Sequence, residues 1–206
     1  VLFTFFVLLT FFCFWEGYEK GNKKYKILFG VFLALALLSR YTTLWIMPVF
    51  FLYFLIKNKS FIFLKDKYLW YSILAFFLTL VPWFIYGWIE YGNPIGAFIH
   101  GAKASAYWGG LQSWHFFFDY WYQMFSIIGF IFVIGLIYIF YKREFIKKEI
   151  YLLLIWFTFF LCMAIYMPHK EERFILAIVP PIALISGYFI GRIKKNKMLI
   201  LVGIIF

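Results

Sequence analysis

An all-α, polytopic transmembrane helical bundle is the fold that three observations predict. Hydrophobic residues make up 66% of the 206 positions and aromatic residues 27%, well above the roughly 45–50% apolar content of a soluble domain. The apolar runs reach the roughly 17–25 residues that a helix needs to cross hydrocarbon, and they lack the alternation of a barrel strand. Charged residues, 14% of the chain, collect in short clusters between those runs. A mean hydropathy of +0.88 agrees. We expect a single transmembrane domain over residues 1–206. Because the chain starts at Val1 without a Met inside one apolar run and stops at Phe206 inside another, we expect a partial domain, a fragment truncated at both ends.

Residues 1–15 predict the end of a span; they lack the basic start and small-residue cleavage site of a signal peptide. A polar loop with Lys20, Lys23, Lys24 and Lys26 follows. The apolar region 27–56 is interrupted at Ser39-Arg40-Tyr41-Thr42-Thr43. As one helix it would be about 45 Å long and would need a tilt near 48° to fit about 30 Å of hydrocarbon. A hairpin turning near Arg40 returns both lysine loops to one side, with arms of roughly 20 Å and Pro48 bending the second arm. Arg40 then lies below the membrane surface, where a cation needs a partner or a wet cavity.

Lys57, Lys59, Lys65 and Lys67 mark the next loop, and 68–88 the next span, kinked at Pro82. Residues 90–122 contain Tyr91-Gly92-Asn93-Pro94, His100, Lys103, Gly109-Gly110, His115 and Asp119 among many Trp and Tyr. That density predicts a segment along the interface. Residues 124–141 span next, then a basic loop at 142–149, a span at 150–166, and a span at 174–190 bent at Pro180-Pro181. Arg192, Lys194, Lys195 and Lys197 precede a last span starting at Met198.

Sixteen of the 20 Lys and Arg residues fall in one set of loops; only Arg40, Lys103, Lys170 and Arg173 fall in the other. The richer set is predicted to be cytoplasmic. All three histidines, Glu90, Asp119, Glu171 and Glu172 then share the external side. The sequon Asn58-Lys59-Ser60 lies in a predicted cytoplasmic loop and should stay unmodified in a glycosylating host. The net charge of +11 follows from this topology, and its dispersal argues against a nucleic-acid partner. Cys13 and Cys162 fall in apolar runs as small packing residues.

Met167-Pro168-His169-Lys170-Glu171-Glu172-Arg173-Phe174 is the densest polar stretch, set between two spans. A solvated helix start accounts for Glu171 and Glu172 through the helix dipole, but not for Lys170 and Arg173 at the same end. A helix beginning near Pro168 would place His169 and Arg173 four apart and Lys170 and Arg173 three apart, converging on an anion at its N-terminus. Arg40 has a competing explanation as a cation at a helix C-terminus. Lys103 and His100 are single polar residues of an interfacial loop. His115 and Asp119 are read as polar tips anchoring an amphipathic segment. No residue pattern indicates a metal or cofactor, and no complete catalytic set is present.

His169-Lys170-Glu171-Glu172-Arg173-Phe174 resembles the HKEERF motif of polytopic mannosyltransferases that use dolichyl-phosphate mannose in glycan and anchor assembly. Ser39-Arg40-Tyr41-Thr42, and Tyr91-Gly92-Asn93-Pro94 with Ala102-Lys103, resemble prokaryotic members of the wider protein-mannosyltransferase-like group. The resemblance implies a GT-C glycosyltransferase moving a sugar from a polyprenyl-phosphate carrier to an acceptor hydroxyl at the external membrane face. It implies a lipid-linked sugar donor, a glycan, lipid or protein acceptor, membrane lipids as surroundings, and no cofactor. Departure of the lipid phosphate calls for cations, for which Arg40, Lys103, His169, Lys170 and Arg173 are candidates. Glu171 and Glu172 would orient those cations or bind sugar hydroxyls. The catalytic residue is not assigned, because the family's Asp in the first external loop is expected before Val1. A secondary transporter is the competing reading, although transporters gather polar residues near the midplane rather than at one face. A structural subunit without activity would leave the cations unexplained.

Overall fold

Hydrocarbon offers no partner to a backbone amide, so apolar runs must satisfy their hydrogen bonds internally, as helices. A computed structural model describes residues 2–58, 61–106, 113–166, 170 and 176–193. Among the described residues every regular element is helical. Four helices there are long and apolar enough to cross a membrane: Leu2–Glu19, Lys67–Tyr91, Trp121–Tyr141 and Lys148–Tyr166. The chain divides into two compact units, Val1–Leu111 and Gln112–Phe206.

In the first unit α1 (Leu2–Phe14) runs on through a π-helical stretch, Trp15–Glu19. α2 (Lys23–Ser39) starts at Asn22, whose side chain accepts from the Lys24 N–H. Arg40 ends it, and a 3-10 turn (Tyr41–Trp45) leads into α3 (Ile46–Asn58). Phe29 on α2 and Phe50 on α3 bring their ring centroids to 4.9 Å, so the two helices fold back as a hairpin about Arg40. Lys57 at the end of α3 pairs with Glu19 beside the end of α1, on the lysine-rich side. Pro48 does not bend α3. It stands in the first turn of that helix, where a missing N–H costs nothing.

Between α1 and α4 (Lys67–Tyr91) lies α2. A Cβ on Gly30 would stand 1.9 Å from the Ser72 carbonyl oxygen, so α2 and α4 approach as closely as only a glycine permits. In lipid, helices gain little from apolar burial and associate through such close packing. Phe14, fully buried, joins α1 to α2 and α3 with Tyr18, Phe29, Phe50, Tyr53 and Phe54 at centroid distances of 4.5–5.6 Å. Such pairs contribute about 0.5–1.5 kcal/mol each beyond their area. α4 continues through Pro82 for 25 residues, about 38 Å against a hydrocarbon thickness of about 30 Å. α5 (Gly96–Ala106) packs back against it.

The second unit contains α6 (Phe116–Asp119), α7 (Trp121–Tyr141), a 3-10 turn (Glu144–Ile146), α8 (Lys148–Tyr166) and α9 (Val179–Arg192). α9 packs against both α7 and α8, with Phe132, Trp156 and Ile185 fully buried. Pro180 and Pro181 do not bend a span beginning at 174. They open α9 as its first residues, where the fixed φ suits a helix start and the absent N–H is not needed. The Tyr188 hydroxyl donates to Glu144 (2.5 Å) and accepts from Lys147 and Arg192 (both 3.0 Å). This ties the 142–149 loop to α9. The Tyr188 hydrogen bond, seconded by Lys147, holds the Glu144 carboxyl below its usual range. The expected final span from Met198, with Lys194, Lys195, Lys197 and the Lys59-Ser60 part of the sequon, lies outside the described residues.

Candidate functional site

Arg40 is placed by the way α2 stops. Its backbone becomes extended (φ −163°, ψ 122°) while its N–H still donates to the carbonyls of Ala36 and Leu37. The hydroxyl of Thr43, 1% exposed, stands 2.8 Å from the Ala36 carbonyl and 2.7 Å from that of Arg40, and the Thr43 N–H donates to the Arg40 carbonyl at 3.0 Å. Helix ends leave carbonyls short of donors; here the Arg40 and Thr43 N–H groups supply those of Ala36 and Arg40, and the Thr43 hydroxyl stands within reach of both. The guanidinium of Arg40, half-buried, lies 5.8 Å from the centroid of Phe3, a cation–π contact at the start of α1.

Lys103 is placed by the turn after α4. Gly92 adopts the left-handed conformation (φ 65°, ψ 11°) and its N–H donates to the Trp88 carbonyl. That is a helix C-terminus built on glycine. The Asn93 side chain then accepts from the Ile95 N–H at 3.0 Å, and the Asn93 carbonyl from the Gly96 N–H at 2.8 Å. Tyr91-Gly92-Asn93-Pro94 is therefore the corner that launches α5, and Gly87 leaves room for it: a Cβ there would meet the Pro94 carbonyl at 2.6 Å. His100 stacks on Tyr91 at 4.6 Å, and exposed Lys103 sits in the last turn of α5. α5 packs against the 3-10 turn that Arg40 caps. Arg40 and Lys103 thus belong to neighbouring elements, at the ends of α2 and beyond α4 that face away from the lysine loops.

In the second unit Lys170 is 3% exposed and its side chain is engaged. It is not helical, so the convergence expected from a helix starting near Pro168 does not hold at this residue. His169, Glu171, Glu172 and Arg173 lie outside the described residues. A lysine is seldom so deeply buried unless paired, so the Lys170 side chain is a packed group and not a solvated one. His115 and Asp119 form a local pair, Nδ1 to Oδ2 at 2.6 Å, with Trp114 edge-on to the imidazole. Both are half exposed and bracket α6, in keeping with an anchoring role. Among the described residues no group of three His, Cys, Asp or Glu could hold a metal. Thr43 was missed by sequence reasoning; a threonine just after the helix break is its only signal.

Comparison with curated proteins and with solved structures gives no match. A family model, that of the Alg9-like mannosyltransferases, covers residues 1–206. That family transfers mannose from dolichyl-phosphate mannose to a glycan acceptor, a reaction whose departing phosphate requires positive charge. The chain therefore belongs to the Alg9-like mannosyltransferase family, helical membrane enzymes with a lipid-linked sugar donor.

Proposed function

We propose that mannose transfer by this chain takes place at the non-cytoplasmic face, with Arg40, Lys103, His169, Lys170 and Arg173 binding the phosphate of the donor. Glu171 and Glu172 orient those cations or hold sugar hydroxyls. A hydroxyl of the acceptor glycan gives up its proton to a base and attacks the anomeric carbon. The bond from that carbon to the phosphate oxygen breaks, and dolichyl phosphate leaves with its charge against the cations. Positive groups fixed before the reaction stabilise that charge without reorganising. The observation that carries this reading is the Arg40 turn. It is locked by Thr43 and packed against the helix that presents Lys103, at the end of α2 opposite Lys23, Lys24 and Lys26. The count of lysine and arginine between loops supports the orientation.

The test is mannosyl transfer from dolichyl-phosphate mannose by membranes carrying Arg40→Ala or Arg173→Ala. Both variants are expected to insert normally and to lose transfer. Unchanged transfer by both would remove the phosphate site.

A further inference from the structure

Within the first unit, α2, α3, α4 and the 3-10 turn Phe61–Lys65 enclose a cavity of about 360 Å³, within the usual range of about 300–1,000 Å³ for a small-ligand site. Among the described residues that line it, Ser72 carries the one polar side chain. Phe50 and Phe76 form a buried floor, whereas Phe51 and Phe77 on the rim are 45% and 51% exposed. The cavity is therefore an open groove. It runs along α4 from Leu69 to Phe77, about 12 Å, and starts at Leu64 and Leu69, which flank Lys65 and Lys67.

Charge at that end is out of balance. Glu16 holds Lys20, Glu19 holds Lys57, and Asp66 holds Lys26. Among the described residues Lys23, Lys65 and Lys67 form no ion pair with a carboxylate. Lys23 and Lys67 stand 5.9 and 5.5 Å from the ring centroid of Tyr68, one residue before Leu69. Three lysines outside any close ion pair thus stand at the end of an apolar groove whose other side opens outward.

We infer that this groove binds an anionic glycerophospholipid from the leaflet at the lysine-rich face, one acyl chain lying along α4 and the phosphate between Lys23, Lys65 and Lys67. Charge complementarity selects the headgroup: basic pockets between transmembrane helices attract anionic lipids. The apolar lining selects the chain. The tail of the sugar donor is the competing occupant. It is set aside on the proposed-function reading, which holds the donor's phosphate at Arg40, the opposite end of α2.

The full-length protein, exchanged into micelles containing equal amounts of phosphatidylcholine and phosphatidylglycerol, is examined by native mass spectrometry for retained lipid. Phosphatidylglycerol is expected to be retained over phosphatidylcholine by at least fivefold, since each lysine near the headgroup contributes roughly fivefold. The triple substitution Lys23→Gln, Lys65→Gln, Lys67→Gln removes that preference, and Ile73→Trp, which fills the groove from its rim, lowers retention of both lipids. The lysine variants alter exposed side chains and test the inference even if Ile73→Trp does not fold. Equal retention by the wild type, or a preference that survives the triple substitution, overturns the inference. So does retention of added dolichyl phosphate above phosphatidylglycerol that Ile73→Trp abolishes, which gives the groove to the donor. Lipid retention is read without sugar transfer, so loss of the phosphate site at Arg40 and loss of this site are separately visible.

Discussion

The hydroxyl oxygen of Thr43 lies 2.7 Å from the carbonyl oxygen of Arg40, and the same hydroxyl reaches the Ala36 carbonyl at 2.8 Å. The turn that points Arg40 is therefore fixed by a side chain three residues later. Thr43→Val keeps the shape and removes the hydroxyl donor while each carbonyl keeps its backbone N–H partner, at a cost of about 0.5–1.5 kcal/mol. The expected outcome is a lower melting temperature together with a raised KM for dolichyl-phosphate mannose. Thr43→Ser, which restores the hydroxyl, should recover the KM. A valine variant that loses stability but keeps the wild-type KM would separate Thr43 from donor binding.

Gly30→Ala tests the closest helix approach. The new methyl carbon would stand 1.9 Å from the Ser72 carbonyl oxygen, which is backbone and cannot rotate away. Overpacking costs typically about 1–3 kcal/mol even where side chains yield, so this variant should fall at or above that range. Thermal unfolding of the detergent-solubilised protein is the measurement. A melting temperature equal to the wild type would mean that α2 and α4 are further apart than described.

Much of the first unit was legible because its break is written in residue types. A run too long for one span, interrupted by Ser39-Arg40, predicts a hairpin, and Phe29 against Phe50 bears it out. The start of α9 was misread because a Pro-Pro pair either kinks a helix or begins one, and only the place where the α-helix begins, at Val179, decides between them. For the candidate site, sequence identified Arg40, Lys103 and Lys170 as scarce cations away from the lysine loops. Neither the burial of Lys170 nor the Thr43 lock could be read, since both depend on neighbours that no spacing rule specifies. The pairing of Lys26 with Asp66, 40 residues apart, is hidden for the same reason. The transporter alternative gives way to the family match across the whole chain.

Asp66 predicts how the lysine-rich end responds to acid. Its carboxylate caps α4 by accepting from the Tyr68 N–H at 2.9 Å and pairs with Lys26. Burial pushes its pKa up, but the bonds from Lys26 and Tyr68 and the charges of Lys26 and Lys67 outweigh that and hold it below the ordinary carboxylate range. A depressed folded pKa gives stability that is complete above the unfolded value of about 3.9 and is lost as pH falls through the folded pKa. Asp66→Asn retains a capping oxygen and removes the charge. It should cost about 0.2–1 kcal/mol near neutral pH, as a partly exposed ion pair does. It should also flatten the fall in melting temperature below pH 4. Parallel curves for the wild type and the Asp66→Asn variant in that range would show that the Lys26 pair does not contribute.

Ser126 is the position where α7 departs from helical geometry, with φ 49° and ψ −140°. A side chain with a Cβ rarely adopts this region, which glycine enters freely, and holding it there costs on the order of 1–3 kcal/mol. Nearby, the Ser186 hydroxyl of α9 donates to the Ile128 carbonyl at 3.3 Å, a bond across the helix pair close to the break. Ser126→Gly should relieve the strain without moving α9 and raise stability by about 1 kcal/mol or more, the gain reduced by the greater freedom of glycine when unfolded. Ser126→Val should do the reverse, because a β-branched residue resists positive φ still more strongly. Melting temperatures of the two variants test this directly. If the glycine variant were the less stable of the two, the break in α7 would not be strained, and the serine would have to be retained for a contact of its side chain.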